Sequence, residues 1–184
     1  MRIFSDKVSL MVFNMQLDLI PLLHQAYHLT HACRWLMDLF AVHQLPSLCI
    51  EHKKLGALAP SIQAVNPKAL SLKKYYFSIL KEKHFMEYME TIAKNQVVIS
   101  GAETHVCIYQ SAIDLLEKGY EVFILVDATS ARSEQDHMLA LDRLKAAGCS
   151  LITKEMLFFE LIDHSEHPNY LPMAKKFLDG RYIQ

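Results

Sequence analysis

The sequence predicts an α/β fold: a three-layer α/β/α sandwich around a mostly parallel, doubly wound sheet of about six strands. Three observations carry this. Short apolar runs without strict alternation recur along the chain, as strands buried on both faces of a parallel sheet do. Stretches of helical periodicity separate them. In the second half the order strand, helix, strand repeats, which calls for parallel pairing and right-handed crossovers.

The first run, Val8 to Asn14, ends in polar residues and reads as a buried strand. From about Leu22 to Gln44, apolar residues recur at helical spacing (Leu29, Ala32, Cys33, Leu36, Leu39, Phe40), and Pro46 prevents continuation. Ser47 to Glu51 is a second apolar run. The next stretch of about forty residues mixes Gly56, Pro60 and Pro67 with weak periodicity and reads mostly as loop, an irregular insertion of the kind that carries function. A helix is expected from Glu82 to Ala93, a strand over Val97–Ser100, a helix from Val106 to Glu117 stopped by Gly119, and a strand over Val122–Val126. A helix from Glu134 to Ala147, stopped by Gly148, a strand over Ser150–Thr153 and a last helical stretch near Leu171 to Leu178 complete the pattern. The 184 residues suit one domain, 1–184, and no repeat or charge block marks a linker.

Composition narrows the function. Nineteen basic against 20 acidic residues leave a net charge of −1, without the excess needed to neutralise a phosphate backbone, so nucleic acid is not an expected partner. The opening MRIFSDKVSL lacks the pattern of a secretory signal, and no run is long and apolar enough for a membrane span, so a cytoplasmic protein without membrane association is expected. The four cysteines are single, without CxxC pairs, which argues against a disulfide framework or a cysteine zinc site. The ten histidines include no HExxH pattern, and no metal is expected.

Ligands of open parallel sheets bind beyond the carboxyl ends of the strands. Cys107 lies there, behind the turn Gly101-Ala102-Glu103-Thr104-His105 and in the first turn of the following helix. At such a position backbone N–H groups and the helix dipole stabilise a thiolate and can hold an oxyanion. Cys33, Cys49 and Cys149 lie inside apolar patterns and read as small buried hydrophobes.

The run Val98 to Ile108, followed by Leu115 to Val122 and by Val126-Asp127-Ala128-Thr129-Ser130-Ala131-Arg132, resembles the core signature of isochorismatase-like hydrolases. The similarity continues through His137 to Ala147 and, from Leu157 to Pro168, is greatest to the small isochorismatase-domain proteins. The opening strand with Asn14, Met15, Gln16 and Asp18 extends it over nearly the whole chain.

The resemblance implies a cofactor-independent cysteine hydrolase acting on a small amide or related carbonyl-type substrate through a covalent Cys107 adduct. It implies an Asp-Lys-Cys triad in which Cys107 attacks and Lys74 supports the charged groups. It further implies a non-proline cis peptide between Ala102 and Glu103, an oxyanion hole from the N–H groups of Glu103 and Cys107, and a homo-oligomer. The triad's aspartate position falls on Asn14, and an amide is no general base. Another base, His105, Glu51 or neutral Lys74, would have to serve, or the chain is a catalytically impaired binding or regulatory protein on the same fold. Asp18 matches a different acidic position. One histidine, His52, follows the second strand without a spaced partner, which disfavours a metal-dependent nicotinamidase. Glu51, Phe77 and Tyr109 are candidate substrate-binding residues.

Overall fold

The computed structural model describes residues 1–178. Six strands form one sheet: β1 (Val8–Phe13), β2 (Ser47–His52), β3 (Leu70–Lys74), β4 (Gln96–Ala102), β5 (Glu121–Ser130) and β6 (Ser150–Ile152). Every pairing is parallel and the order is β3-β2-β1-β4-β5-β6. The direction of winding therefore reverses between β1 and β4, the point where ligands bind in such sheets. β1 and β4 are buried at every residue, which is why they read as continuous apolar runs.

Helices cover both faces. One face packs α1 (Ala26–Val42), α6 (Lys154–Ile162) and α7 (Tyr170–Phe177) against Leu10, Val12, Val98 and Phe123. The other packs α3 (Lys83–Ile92), α4 (Tyr109–Glu117) and α5 (Glu134–Ala146) against Met11, Phe13, Ile50, Val97 and Ile99. The short α2 (Pro60–Gln63) lies in the β2–β3 connection.

Four expectations need correction. The helix expected from Leu22 starts at Ala26, because Gln25 sits in the left-handed region (φ 51°) after a short 3₁₀ turn over Ile20–Leu22. The expected long loop after Glu51 contains β3, an edge strand whose residues are mostly exposed and so lack an apolar signature. β5 continues past Val126 to Ser130, with a register shift against β4 between Ile99 and Gly101. The helix expected from Val106 begins at Tyr109, preceded by one π turn over Thr104–Ile108.

Candidate active site

Gly101 lets the site form. Its φ is +100°, and a Cβ there would stand 2.1 Å from the carbonyl oxygen of Phe13, so only glycine brings β4 this close to β1. The peptide bond between Ala102 and Glu103 is cis, as the resemblance implied. The chain then enters the π turn, where the Glu103 carbonyl accepts from the N–H groups of both Val106 and Ile108 (3.2 Å each). Such one-residue expansions recur at functional sites. The turn is pinned through Thr104: its Oγ1 donates to the Ser130 carbonyl (2.9 Å) and lies 2.9 Å from His137 Nδ1. Glu103 itself points outward to Arg132, with Nε 2.7 Å from Oε1.

Within this turn Cys107 is 4% exposed. The Nζ of Lys74, a residue with no exposed surface, donates to its Sγ at 3.0 Å and to the Tyr76 carbonyl at 3.0 Å. Lys74 is the last residue of β3 and not a loop residue. It turns to the face of the sheet that carries Ile50, His52 and Cys107, while Lys73 takes the other side. No carboxylate pairs with Lys74 among the described residues. A buried ammonium needs a counter-charge. Its two acceptors are the Tyr76 carbonyl and the Cys107 sulfur.

The other cysteines differ. Burial pushes the thiols of Cys33, Cys49 and Cys149 up to about 12, reinforced at Cys49 by the charge of Glu51.

Asn14 follows the last residue of β1, 99% buried, with φ 51°. Its N–H donates to the Ile50 carbonyl (2.7 Å) and its carbonyl accepts from Gln16 N–H (2.8 Å). Its side-chain oxygen is buried and has no hydrogen-bond partner. In the strand order the Lys74–Cys107 contact, running from the end of β3 to the turn after β4, spans the ends of β2 and β1, where Asn14 lies. Asp18 is separate from this group: its backbone N–H donates to the Leu55 carbonyl, and its carboxylate lies against Gly56.

The remaining candidates have other surroundings. Glu51 is buried in β2, and its carboxylate accepts from Ser71 Oγ and from the N–H of Leu58. Phe77 is half exposed and stacks on His52, ring centroids 6.2 Å apart. Tyr109 lies under the Arg143 guanidinium (4.1 Å) and its hydroxyl accepts from Arg143 Nη2 at 2.7 Å, a contact between α4 and α5. His105 reaches Asp136 at 3.9 Å through Nε2, while its Nδ1 is buried without a partner.

The sequence reading passed over His52 as a neighbour of the site. Its register opposite Lys74 places them side by side, and burial followed by the Lys74 charge lowers its pKa from the ordinary 6.5. Gln16 belongs to the opening motif. It ties the loop after β2 to the end of β1, accepting from His52 N–H and donating to the carbonyls of His52 and Gly56. The Ser78–Asp114 hydrogen bond (2.6 Å) fixes the chain after Lys74 against α4. Among the described residues no three His, Cys, Asp or Glu side chains converge as a metal site would.

Strand order, switch point and the buried lysine–cysteine contact define a class: an open, doubly wound α/β domain with a lysine–cysteine pair at the carboxyl ends of its strands. The chain belongs to the isochorismatase family, whose domain model matches residues 18–156. It is 31% identical over 176 residues to isochorismatase domain-containing protein 2 of Danio rerio, covering 95% of this chain and 88% of that protein. Against isochorismatase domain-containing protein 1 of Danio rerio it is 38% identical over 118 residues, but these are 64% of this chain and only 41% of the relative. Among solved structures, the MAR1 ribonuclease from Caenorhabditis elegans superposes with a TM-score of 0.90 at 27% identity, covering 97% of this chain and 93% of that one. The fold is that of isochorismatase-like hydrolases.

Proposed function

We propose that this protein is a cofactor-independent hydrolase that cleaves a small amide, or a related carbonyl-type substrate, through a covalent adduct on Cys107. The observation that carries the reading is the 3.0 Å contact between the fully buried Lys74 Nζ and Cys107 Sγ. With an amide at position 14, the thiolate is the one available counter-charge for the Lys74 ammonium, so the nucleophile is formed before substrate arrives.

The Cys107 thiolate attacks the carbonyl carbon, and the negative charge moves to the oxygen, held by the N–H groups of Glu103 and Cys107. The C–N bond breaks as the leaving nitrogen takes a proton from Lys74, leaving a thioester and a neutral amine. Water adds to the thioester carbon and gives a proton to Lys74. The C–S bond then breaks, releasing the acid and restoring the thiolate–ammonium pair. Lys74 thus takes the proton-transfer role that an amide at Asn14 is unable to fill.

The second reading, a binding or regulatory protein without turnover, is favoured by Asn14 itself. Alkylation separates the two. Treated with iodoacetamide at neutral pH, with modified sites located by mass spectrometry, Cys107 should react at least about a hundredfold faster than Cys33, Cys49 or Cys149, and Lys74→Met should abolish most of that lead. A Cys107 as slow as the others would sink the hydrolase reading and leave the binding one.

A further inference from the structure

A cavity of about 570 Å³ lies at the amino ends of β2 and β3, between the end of α1 and α3. The five residues of β3, at about 3.3 Å each, separate it from Lys74 at the strand's other end. It is therefore no part of the Lys74–Cys107 contact. Its walls are mostly apolar, with Leu45, Pro46, Pro67 and Leu70 among them. Size and lining are those of a small-molecule site.

Three polar groups converge on this space without partners of their own. Asn66 is only 6% exposed. Its carbonyl accepts from Ala69 N–H (3.0 Å), which closes the turn into β3, but its side-chain amide makes no hydrogen bond among the described residues. The hydroxyl of half-buried Tyr88 has no partner there either, and burial raises its pKa, so it keeps its proton to donate. Ser47 is buried, and its Oγ reaches only the Leu45 carbonyl, at 3.5 Å, the outer limit of a hydrogen bond. Buried polar groups are normally paired within the protein, and an amide and two hydroxyls left free around one cavity are groups that a ligand can pair.

We propose that this cavity is a second binding site, for an uncharged, largely apolar small molecule with a single hydroxyl or amide head. Asn66 and Tyr88 hold the head, and the apolar walls hold the body. No acidic side chain lines the cavity, so a cation finds no counter-charge. The one charged residue of the lining, Lys68, is exposed, so an anion would leave water for walls that offer it no buried cation. The inference is independent of the reading of Cys107. β3 then carries a site at each end.

Two probes with one ring system test both the site and its ligand class: 2-naphthol, neutral at pH 7, and 2-naphthoate, an anion. Each is titrated into the full chain, labelled with ¹⁵N, and followed by backbone amide NMR. Naphthol should give saturable shifts at Ser47, Ala69, Leu70 and Tyr88 with a Kd below about 1 mM, and naphthoate should bind at least about tenfold more weakly. Asn66→Leu and Tyr88→Phe should each weaken naphthol by about fivefold, each removing one hydrogen-bonding group from the lining.

No saturable shift at these four amides, or shifts confined to the carboxyl end of the sheet, overturns the site. Equal affinity for the two probes overturns the ligand class, and unchanged affinity in both variants overturns the roles of Asn66 and Tyr88. Movement of the same amides on dilution without probe shows a second copy of the chain on this face, and overturns the proposal as well. Tyr88→Phe, which keeps the ring, decides if Asn66→Leu does not fold.

Discussion

Both faces of the sheet bury cysteines, and one of the four has a different neighbour from the rest. On the face covered by α1 and α6, Cys33 and Cys49 lie among Leu10, Val12 and Phe40, and burial holds both as neutral thiols, pushed up to about 12. On the other face Cys107 is almost as buried, yet its neighbour is the Lys74 ammonium. Cys149 on that same face has no such neighbour and behaves like the first two. Burial by itself therefore does not set Cys107 apart from the other cysteines. The difference lies in a cation delivered from β3, three strands away from β4 in the sheet.

The comparison is broken most severely where the turn that carries Cys107 is assembled. Gly101→Ala drives a Cβ into the Phe13 backbone and should cost more than about 4 kcal/mol in urea unfolding, with little folded protein recovered. Gly119→Ala is the matched control, since a Cβ there meets nothing within 4 Å, and it should lose only about 1–2 kcal/mol for its positive φ.

Next in size, Lys74→Met should lower iodoacetamide modification of Cys107 at pH 7 by about two orders of magnitude, bringing it toward the silent cysteines. Its melting temperature should change much less, since an apolar chain of similar length replaces a buried cation. If Cys107 kept its rate, the contact with Lys74 would have no chemical consequence.

On the opposite face, Cys33→Ala should leave the Cys107 alkylation rate unchanged and cost about 1 kcal/mol in unfolding, a packing loss only. A fall in Cys107 reactivity would show that the two faces are not independent.

The smallest expected effect is on pH. His137, which holds Thr104 of the π turn, has its pKa lowered from 6.5 by burial and then by the charge of His24, with Glu134 acting the other way. The unfolded chain then takes up the proton more readily than the folded one. Stability is complete above pH 6.5 and declines as pH falls below it. His43 and His52 are lowered as well and add to the slope. His137→Gln should flatten the decline of melting temperature between pH 7 and pH 5 only in part.

Strands buried on both faces were legible because nothing in them needs water: β1, β4 and the first half of β5 are runs of apolar residues between polar ends. α5 was legible through its glycine stop and its place between two apolar runs, and the structure adds a serine cap, Ser133 accepting from Asp136 N–H. β3 was not, since an edge strand with exposed Leu70, Ser71 and Lys73 carries no apolar signature. α6 went unassigned because Met156, Leu157, Phe158, Phe159, Leu161 and Ile162 crowd it with apolar residues and blur its stripe. The π turn has no sequence period of its own, and the hydrogen bonds that shape it come from Ser130 and His137, 26 and 33 residues away.

What the sequence by itself determined is the local part: the apolar runs, the helix stops, and the lone cysteine in the turn after the strand Val97–Ser100. Each depends on residues a few positions apart, whose periodicity and chemistry can be read without coordinates. Only the tertiary structure decided that Lys74 lies within hydrogen-bond reach of Cys107 and not on the surface, that Glu51 is buried and satisfied, and that the side-chain oxygen of Asn14 is left without a donor. Those facts depend on strand order. In the parallel sheet β3-β2-β1-β4 the ends of distant segments meet at one edge, and which side chains then find partners is settled by packing across 33 residues of chain, not by any local preference.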